Sequence, residues 1–470
     1  MQVSIAPERG EDPTSIPLVK KRELSQLVRL ASTLALIQVG YHLMGLVDTA
    51  LAGRVGGETL AATGLGSAVF FAVTVLGIGL MLGLDPLVAQ AFGALQPARA
   101  RAVLSQGLYV AALVSLPLSL LILVIGALLP RFGIPPSLAS LTYDYLLGRL
   151  PSLWLLLACV ASRSYLQAAH RTRPVVVAVV LFNLVNFVFA WVLLFGDAGL
   201  RRIGVGGLGI EGFGVSGLAW ASSIATFGQF VFMAAVVGRG TAPAADGRGL
   251  VRPDATTIAH VFGVGGPLGL QLAAETGVFA LVGVLMGRMG TETMAAHQVA
   301  LQLASITYAA TLGIGAATSV QVGRAIGRGD VAATRFAGLA GIGTGASFML
   351  ATATVMWLFP SVLARLMTSD VQVIPGAARL ISIAAVFQVA DGVQSVAAGA
   401  LRGAGVTRYS FVANLIGHWA IGAPLALTLA FGLGLGAAGL WWGLSAGLAV
   451  VAAALALRFA DISRRPIARL

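Results

Sequence analysis

The sequence predicts an all-α membrane protein with twelve transmembrane helices in two pseudo-symmetric six-helix bundles. Three observations support this prediction: a composition poor in charge, twelve long apolar windows and an internal repeat. Of the 470 residues, 57% are hydrophobic and 10% are charged, and the mean hydropathy is +0.90. Water-soluble chains carry about 25% charged residues. Most of this surface must therefore face lipid, which excludes a soluble, disordered or nucleic-acid-binding chain.

Twelve apolar windows follow residue 29, and each holds about 20 or more residues, enough to cross a hydrocarbon core about 30 Å thick. Charged residues or Gly and Pro turns separate them. The charge-free run from Tyr409 to Leu457 is too long for one crossing, so the glycine cluster at 432–436 is predicted to divide it. Residues 1–29 are polar and lack a signal-peptide core, so they are predicted to be a cytoplasmic tail, as are residues 459–470. The predicted spans are 30–53, 59–92, 102–130, 143–168, 174–196, 212–238, 258–287, 293–322, 336–359, 378–401, 409–431 and 438–458.

The two halves of the chain resemble each other at an offset of 234 residues. Segments 52–62 and 286–296 share seven of eleven residues, and Ala-Phe-Gly at 91–93 recurs as Ala-Ile-Gly at 325–327. Leu-Gly-Ile-Gly at 76–79 recurs at 312–315, with an offset of 236. Six crossings per half preserve orientation, so the repeats are parallel. We therefore predict an N-lobe at 30–238, a cytoplasmic linker at 239–257 and a C-lobe at 258–458.

Two parallel bundles related by an axis along the membrane normal are typical of alternating-access transporters, with the substrate cavity between the lobes. Duplicated bundles also occur in channels, which stay an alternative. Lys20 and Lys21 are the only lysines, so no P-loop lysine follows them. No ATPase domain of that type is expected, and uphill transport would need an ion gradient. The single cysteine, Cys159, excludes an intrachain disulfide and a cysteine-based metal cluster.

Basic residues predict the orientation. Cytoplasmic loops of membrane proteins carry an excess of Lys and Arg. With the N-terminus inside, 22 of the 30 basic residues fall in the tails and inside loops, which predicts that both termini are cytoplasmic. The eight assigned to outside loops are Arg54, Arg131, Arg149, Arg201, Arg202, Arg288, Arg365 and Arg379.

Two carboxylates lie near the middle of predicted spans. Glu275, in the seventh window, follows Gln271 by four residues, so both share a helix face. Asp391, in the tenth window, has oxygen-bearing neighbours at helical spacing. A carboxylate at mid-membrane is costly unless it faces a cavity, binds a cation or takes a proton. These oxygens would suit Na⁺ or a shared proton, whereas neutral helix-packing groups are the alternative. The neighbours of Asp391 are Gln388, Gln394 and Ser395.

The first half offers further polar candidates. Asp48 lies near the outer end of the first window, where a solvated rim position is the alternative to a coupling role. Asp85 precedes Pro86 and is expected to break or cap a helix. Asn183 and Asn186, three residues apart in the fifth window, either hold helices together or line a cavity.

Several segments resemble the multidrug and toxic compound extrusion (MATE) family, part of a superfamily that includes lipid-linked precursor flippases. They run over nearly the whole chain after residue 30. The resemblance implies a secondary active exporter of organic, often cationic drugs that exchanges them for Na⁺ or H⁺. It also implies no cofactor and a monomer in the lipid bilayer. Scarce Lys, abundant Arg and Ala and no targeting sequence predict a bacterial inner membrane. The segments are Val-Asp-Thr-Ala-Leu-Ala-Gly (47–53), Asp-Pro-Leu-Val-Ala-Gln-Ala-Phe-Gly-Ala (85–94), Glu275 with Phe279, Met-Gly (286–287), Ala-Ala-His-Gln (295–298), Val-Gly-Arg-Ala-Ile-Gly (322–327) and Ala-Leu-Arg-Gly-Ala-Gly (400–405).

By this resemblance, the family's cation site falls on Glu275 and Asp391, and the coupling acid of its first helix falls on Asp48. One branch also has an aspartate four residues after an asparagine in the fifth helix. Ala190 stands there, which favours the NorM-like branch. The tyrosine often found before the aspartate of the tenth helix is Phe387 here. The rival function is a precursor flippase, which would be expected to line its cavity with several Arg or Lys, and the predicted span centres carry none.

Overall fold

The computed structural model describes residues 15–202, 204, 206, 209, 211–240 and 251–470. Every regular element in this part of the chain is helical, as predicted. Residues 241–250 of the predicted linker and residues 1–14 of the predicted N-terminal tail lie outside the described residues. The helix that begins at Ser15 extends into the segment predicted as a tail.

The described residues form two sets of α-helices. A 3-10 turn, Leu129–Phe132, joins α4 to α5, and two π-helical stretches, Ile416–Gly422 and Thr428–Gly432, flank α14. The N-terminal lobe contains α1 (Ser15–Val55), α2 (Gly57–Leu82), α3 (Leu84–Gly93), α4 (Pro97–Leu128), α5 (Pro136–Ala168), α6 (Arg173–Arg202) and α7 (Gly214–Gly240). The C-terminal lobe contains α8 (Ala255–Arg288), α9 (Thr291–Arg328), α10 (Val331–Leu358), α11 (Pro360–Met367), α12 (Val373–Gly403), α13 (Thr407–Leu415), α14 (Ala423–Leu427) and α15 (Gly436–Ile462).

Twelve helical segments among the described residues are long and apolar enough to cross a membrane, which confirms the predicted number. One crossing combines α2 with α3, and another runs from Thr407 to Gly432. The α2–α3 break lies at Gly83, just before Asp85, as the sequence predicts. Asp85 lies in the first turn of α3, but its side chain does not cap that helix.

The fourth crossing starts earlier than predicted. The sequence predicts a start at residue 143 with Arg149 in an outside loop, but α5 begins at Pro136. Proline is favoured in a first helical turn, because its missing N–H would have no partner there. Arg149 therefore lies near the middle of a crossing helix. The loop assignment of this residue and the expectation of span centres without a basic residue were both wrong.

The two lobes meet on the side of the bundle where α1 begins and α15 ends, which we call the termini face. A Cβ atom at Gly79 of α2 would meet the backbone of Gly269 of α8, and one at Gly313 of α9 would meet Ala35 of α1. These two contacts are related by the offset of 234, so the structural repeat follows 234 here rather than 236. Such reciprocal pairing is what a two-fold relation between the halves requires.

Polar contacts also join the lobes on the termini face. Arg402 of α12 forms an ion pair with Asp85 of α3, with 3.3 Å between Nε and Oδ2. Arg324 Nη1 donates to the carbonyl oxygen of Ala168 at 2.7 Å. Gln90 Nε2 donates to the carbonyl oxygen of Gly403 at 3.3 Å. Because 324 is 90 plus 234, the last two bonds come from equivalent positions of the repeat.

The segment after α15 crosses the contact between the lobes on the termini face and reaches the N-terminal lobe. The Leu470 N–H donates to Gln90 Oε1 at 2.8 Å, and Arg99 Nη2 donates to the Leu470 carbonyl oxygen at 2.6 Å. The Leu470 side chain packs against the core of the N-terminal lobe. A segment of the second half is thus fastened to the first half.

The lobes separate toward the opposite face. Nearly every residue from Val73 to Gly93 is buried or half-buried, whereas the stretch from Gly57 to Phe71 includes many exposed side chains. The cross-lobe contacts of α2 and α3 lie in the buried stretch. The space between the lobes therefore opens away from the termini face.

The start of α8 is fixed by Asp254. Its carboxylate accepts hydrogen bonds from the main-chain N–H groups and hydroxyls of Thr257 and Thr256. These bonds hold the pKa of Asp254 well below its usual range. An ionised N-cap stabilises a helix N-terminus, and α8 is the helix that carries Glu275.

Candidate functional site

In the C-terminal lobe, two glutamine side chains hold Glu275. Gln271 Nε2, one turn earlier on α8, donates to Glu275 Oε1 at 3.1 Å. Gln394 Nε2 of α12 donates to the same oxygen at 3.0 Å and to Asn414 Oδ1 of α13 at 3.0 Å. Three helices therefore converge on one carboxylate. Glu275 is half-buried, so its oxygens stay within reach of the space between the helices.

Asp391 lies on α12, three residues before Gln394. Its side chain is 6% exposed, and within the described part of the chain its carboxylate has no hydrogen-bond or ion-pair partner. Glu275 and Asp391 are close enough to interact electrostatically. The Gln271 Oε1 atom is buried beside them, also without a hydrogen-bond partner among the described residues. Unused oxygen acceptors around two carboxylates fit a bound cation or a proton.

Three of the predicted ligands do not join this group. Gln388 Nε2 donates to Thr307 Oγ1 at 2.5 Å and to Met356 Sδ at 3.2 Å. Ser395 is half-buried, and no hydrogen bond joins its hydroxyl to a described carboxylate. Asn183 Nδ2 donates to main-chain oxygens of α1 and of its own helix, at 3.0 and 2.8 Å, and holds α6 against α1.

Asn414 belongs to the site, although it was not among the residues predicted from the sequence. Its amide links Gln394 to Ser410, and His418 Nδ1 lies 3.1 Å from the Asn414 carbonyl oxygen. Asn414 and His418 are four residues apart in a window without charged residues, which is a signal that could have identified this polar face. His418 is buried and interacts electrostatically with Glu275.

An aromatic cluster lies one helical turn from Asp391 of α12. Phe387 is buried and packs edge-on against Phe279 and Trp441, with ring centroids 6.3 and 5.9 Å apart. Trp441 Nε1 donates to His297 Nδ1 at 3.2 Å, so His297 is a packing residue. Trp441 is 2% exposed, so its ring lies in the interior of the lobe. The rings give the site one apolar wall.

In the N-terminal lobe, Asp48 is the centre of a second polar group. Asn186 Nδ2 of α6 donates to Asp48 Oδ1 at 2.8 Å, and Ser222 Oγ of α7 donates to Oδ2 at 3.0 Å. Asp48 is 5% exposed, which overturns the solvated rim as the alternative for this residue. Ser222 was not selected from the sequence, where a serine in an apolar helix gives no distinguishing signal.

Comparisons with known proteins agree with this architecture. A family profile described as MatE matches residues 34–192 and 267–428. The probable multidrug resistance protein NorM of Bradyrhizobium diazoefficiens is 36% identical over 450 residues, which are 94% of each chain. The multidrug resistance protein NorM of Burkholderia vietnamiensis is 34% identical over 444 residues, 93% of this chain and 94% of that one. The solved structure of the Vibrio cholerae MATE transporter VcmN in its bent form has a TM-score of 0.81 at 20% identity and covers 95% of this chain and 98% of that one.

Proposed function

Because this chain belongs to the MatE family, we propose that it is a multidrug efflux transporter, not an enzyme, and that it exports organic drugs in exchange for Na⁺ or H⁺. The NorM relatives, at 32–36% identity over most of the chain, support this function. They do not favour a precursor flippase. The observation in this structure that carries the exchange is the pair of acidic side chains, Glu275 and Asp391, held inside one lobe with acceptor oxygens unused.

The coupling ion binds at Glu275 and Asp391 in this proposal. Gln271 and Gln394 orient the Glu275 carboxylate, and Asp391 supplies a second carboxylate without a competing donor. A transported ion can drive export only if it binds the two arrangements of the lobes with different affinities. Two carboxylates that lie against packed helices would meet that condition, because rearranging α8, α12 and α13 changes the oxygens around the ion.

We infer that the termini face is cytoplasmic, in a bacterial inner membrane. The positive-inside rule favours this orientation, and seven outside arginines remain after Arg149 is assigned to α5. The space between the lobes then opens to the outside in this structure. That is the arrangement from which a drug leaves and a coupling ion enters. The chain acts as a monomer in this proposal, since both lobes belong to one polypeptide.

Substitution of the two carboxylates tests the proposal. Glu275→Gln and Asp391→Asn keep size and hydrogen bonding but remove the charge. In a host without its own efflux pumps, each variant is expected to lose at least about tenfold of its ion-driven drug efflux, since a neutral amide binds Na⁺ weakly and does not exchange a proton. Glu292→Gln is the control, because Glu292 is exposed near the start of α9.

Imposed Na⁺ and pH gradients, measured separately, identify the coupling ion. Efflux by the two carboxylate variants at the rate of the unmodified protein would refute the coupling role. No efflux of any drug by the unmodified protein, under either gradient, would refute the proposed function.

A further inference from the structure

Arg149 is a cation near the middle of the membrane-crossing helix α5. A charged guanidinium in contact with lipid at that depth is costly, so such side chains face a protein interior or an aqueous space. Tyr145, Leu146 and Ser152 lie on the same helix face and are buried, whereas Arg149 is half-buried. Its head group therefore lies inside the N-terminal lobe, against Phe70 of α2, and stays partly accessible.

The guanidinium has donors to spare. Its Cζ lies 4.7 Å from the ring centroid of Phe70 on α2, a cation–π contact that supplies no acceptor oxygen to its N–H groups. The Nε atom is buried without a hydrogen-bond partner among the described residues. No described carboxylate lies within ion-pair distance of Arg149. Arg163 on the same helix differs, because its Nη1 donates to Gln38 Oε1 at 3.0 Å.

A carboxylate occupies the same lobe interior at a distance. Asp48 and Arg149 form no ion pair. Tyr145, one turn before Arg149, packs in one buried cluster with Ala52 of α1 and Ala221 of α7, on the two helices that carry Asp48 and its partner Ser222. The Tyr145 hydroxyl is hydrogen-bonded to Ser67 Oγ at 2.9 Å. Asp48 and Arg149 thus provide one negative and one positive side chain that are not paired with each other, and we call them the two poles of the site. Opposite charges that are held apart in a protein interior can each bind a counter-charge of one ligand.

We propose that Arg149 and Asp48 form a bipolar substrate subsite that selects zwitterionic compounds. The substrate's carboxylate binds the Arg149 guanidinium, whose planar fork matches a carboxylate. The substrate's ammonium group binds Asp48. This inference rests on the proposed drug-export function and assigns one class of substrate to the N-terminal lobe. A single arginine suits one carboxylate, whereas a pyrophosphate would require several basic groups.

Two matched probes test the subsite without any mutation. Ciprofloxacin carries an amine and a carboxylate, and its methyl ester keeps the amine and loses the carboxylate. Binding of both to the purified full-length protein in nanodiscs, followed by drug fluorescence, is expected to be about tenfold tighter for the zwitterion, the effect of one charged hydrogen bond. Export of a simple organic cation from whole cells, measured in parallel, tests the proposed function by itself.

Three variants then assign the two poles. Arg149→Gln is expected to weaken zwitterion binding by about tenfold and to leave ester binding unchanged, because only the zwitterion contacts this side chain. Arg149→Lys keeps the charge without the fork and should give an intermediate affinity. Asp48→Asn should weaken both probes, because both keep the amine. Arg163→Gln is the control on the same helix and should change neither.

Each contrary result has one meaning. Ester binding as tight as zwitterion binding by the unmodified protein overturns the subsite, and this result does not require a variant to fold. Equal weakening of both probes by Arg149→Gln assigns the residue a structural role and also overturns it. If the unmodified protein exports the organic cation under either outcome, the proposed function stands while the subsite fails. If it exports and binds none of the three compounds, the proposed function itself fails.

Discussion

Two buried glutamines of α12 flank Asp391, yet they have different partners. Gln394 donates to Glu275 and Asn414, whereas Gln388 donates to Thr307 and Met356. Three residues rotate by about 300° around the helix axis, which is about 60° less than a full turn. Gln388 and Gln394 are two such steps apart, so they point about 120° away from each other. A spacing of three residues predicts that neighbours share a helix face, but residues two such steps apart lie on different faces. Only Gln394 therefore reaches the carboxylate of α8.

Replacing Gln394 by leucine removes the amide that links Glu275 to α12 and α13. We expect the ion concentration for half-maximal drug efflux to rise by about tenfold, because a hydrogen bond to a charged group is lost. Efflux measured over a series of Na⁺ concentrations and external pH values gives this shift. Gln388→Leu is the matched control and should leave the ion dependence unchanged. An equal shift in both variants would contradict the separate roles of the two glutamines.

Residues recruited by tertiary contact were the ones that the sequence could not identify. Gln271 and Glu275 lie one turn apart on a single helix, so their contact follows from helix geometry. Ser222 reaches Asp48 from another helix, and Asn414 is linked to Glu275 through Gln394. Their positions depend on how helices pack, which no local spacing specifies. For the same reason, the sequence did not reveal that Arg149 and Asp48 share one lobe interior.

Helix α3 carries the only described ion pair between the lobes. Asp85 in its first turn is 3% exposed and pairs with Arg402 of α12, whose side chain is 15% exposed. Arg402 Nε also lies 3.5 Å from Ser319 Oγ of α9, and Ser319 is the residue at the offset of 234 from Asp85. One arginine thus contacts equivalent positions in both halves. The acid on one side and the hydroxyl on the other make the joint asymmetric.

Asp85→Asn is expected to favour separation of the lobes on the termini face. Breaking a buried ion pair costs about 3–5 kcal/mol, and the partial exposure of Arg402 places this pair near the lower end. Spin labels at Leu95 and Arg408, both exposed on the termini face, should report a population at longer distance. Cys159 is buried and need not be replaced.

Two comparisons make this test specific. Ser319→Ala, which removes a contact of 3.5 Å, should leave the distance distribution unchanged. The charge-reversed pair Asp85→Arg with Arg402→Asp should recover part of the short-distance population. A distribution that is the same in Asp85→Asn and in the parent protein would show that the pair does not hold the lobes together.

The two halves have equivalent residues where the lobes contact each other and different residues at the candidate ion and substrate sites. The close contacts of Gly79 and Gly313 occur in both halves at one offset. The residues equivalent to Asp48, Glu275 and Asp391 are Val282, Tyr41 and Leu157, none of which is a carboxylate. Duplication therefore explains why windows and repeats predict the twelve crossings and two lobes. It does not predict the site, because the chemistry of the site is present only once.

Protonation of His170 should oppose closure of the termini face. This residue lies between α5 and α6, and partial loss of solvation, with the charges of Arg324 and Arg328 on α9, lowers the pKa of His170 to about 4. When the lobes separate, the two arginines move away and the pKa returns toward about 6.5. Above that value His170 is neutral in both arrangements and has no effect. Between pH 6.5 and 4, His170 is protonated to a greater extent in the separated arrangement, so lowering the pH favours that arrangement.

Distance measurements with the labels at Leu95 and Arg408 test this dependence. Lowering the pH from 7.5 to 5 should increase the long-distance population, and His170→Gln should reduce that increase, since glutamine does not titrate. The difference between the two proteins isolates His170 from the acidic residues that titrate over the same range. Identical pH curves would exclude a role for this side chain.

The fastening of Leu470 to Gln90 and Arg99 matters for anyone who handles this protein. An affinity tag or fluorescent fusion added after Leu470 would start in the joint between the halves and would compete with the Arg99 contact. Such a preparation would be biased toward one conformation before any ligand is added. A purification handle at the other end of the chain avoids this, and measurements on the two preparations would reveal how much the label itself contributes.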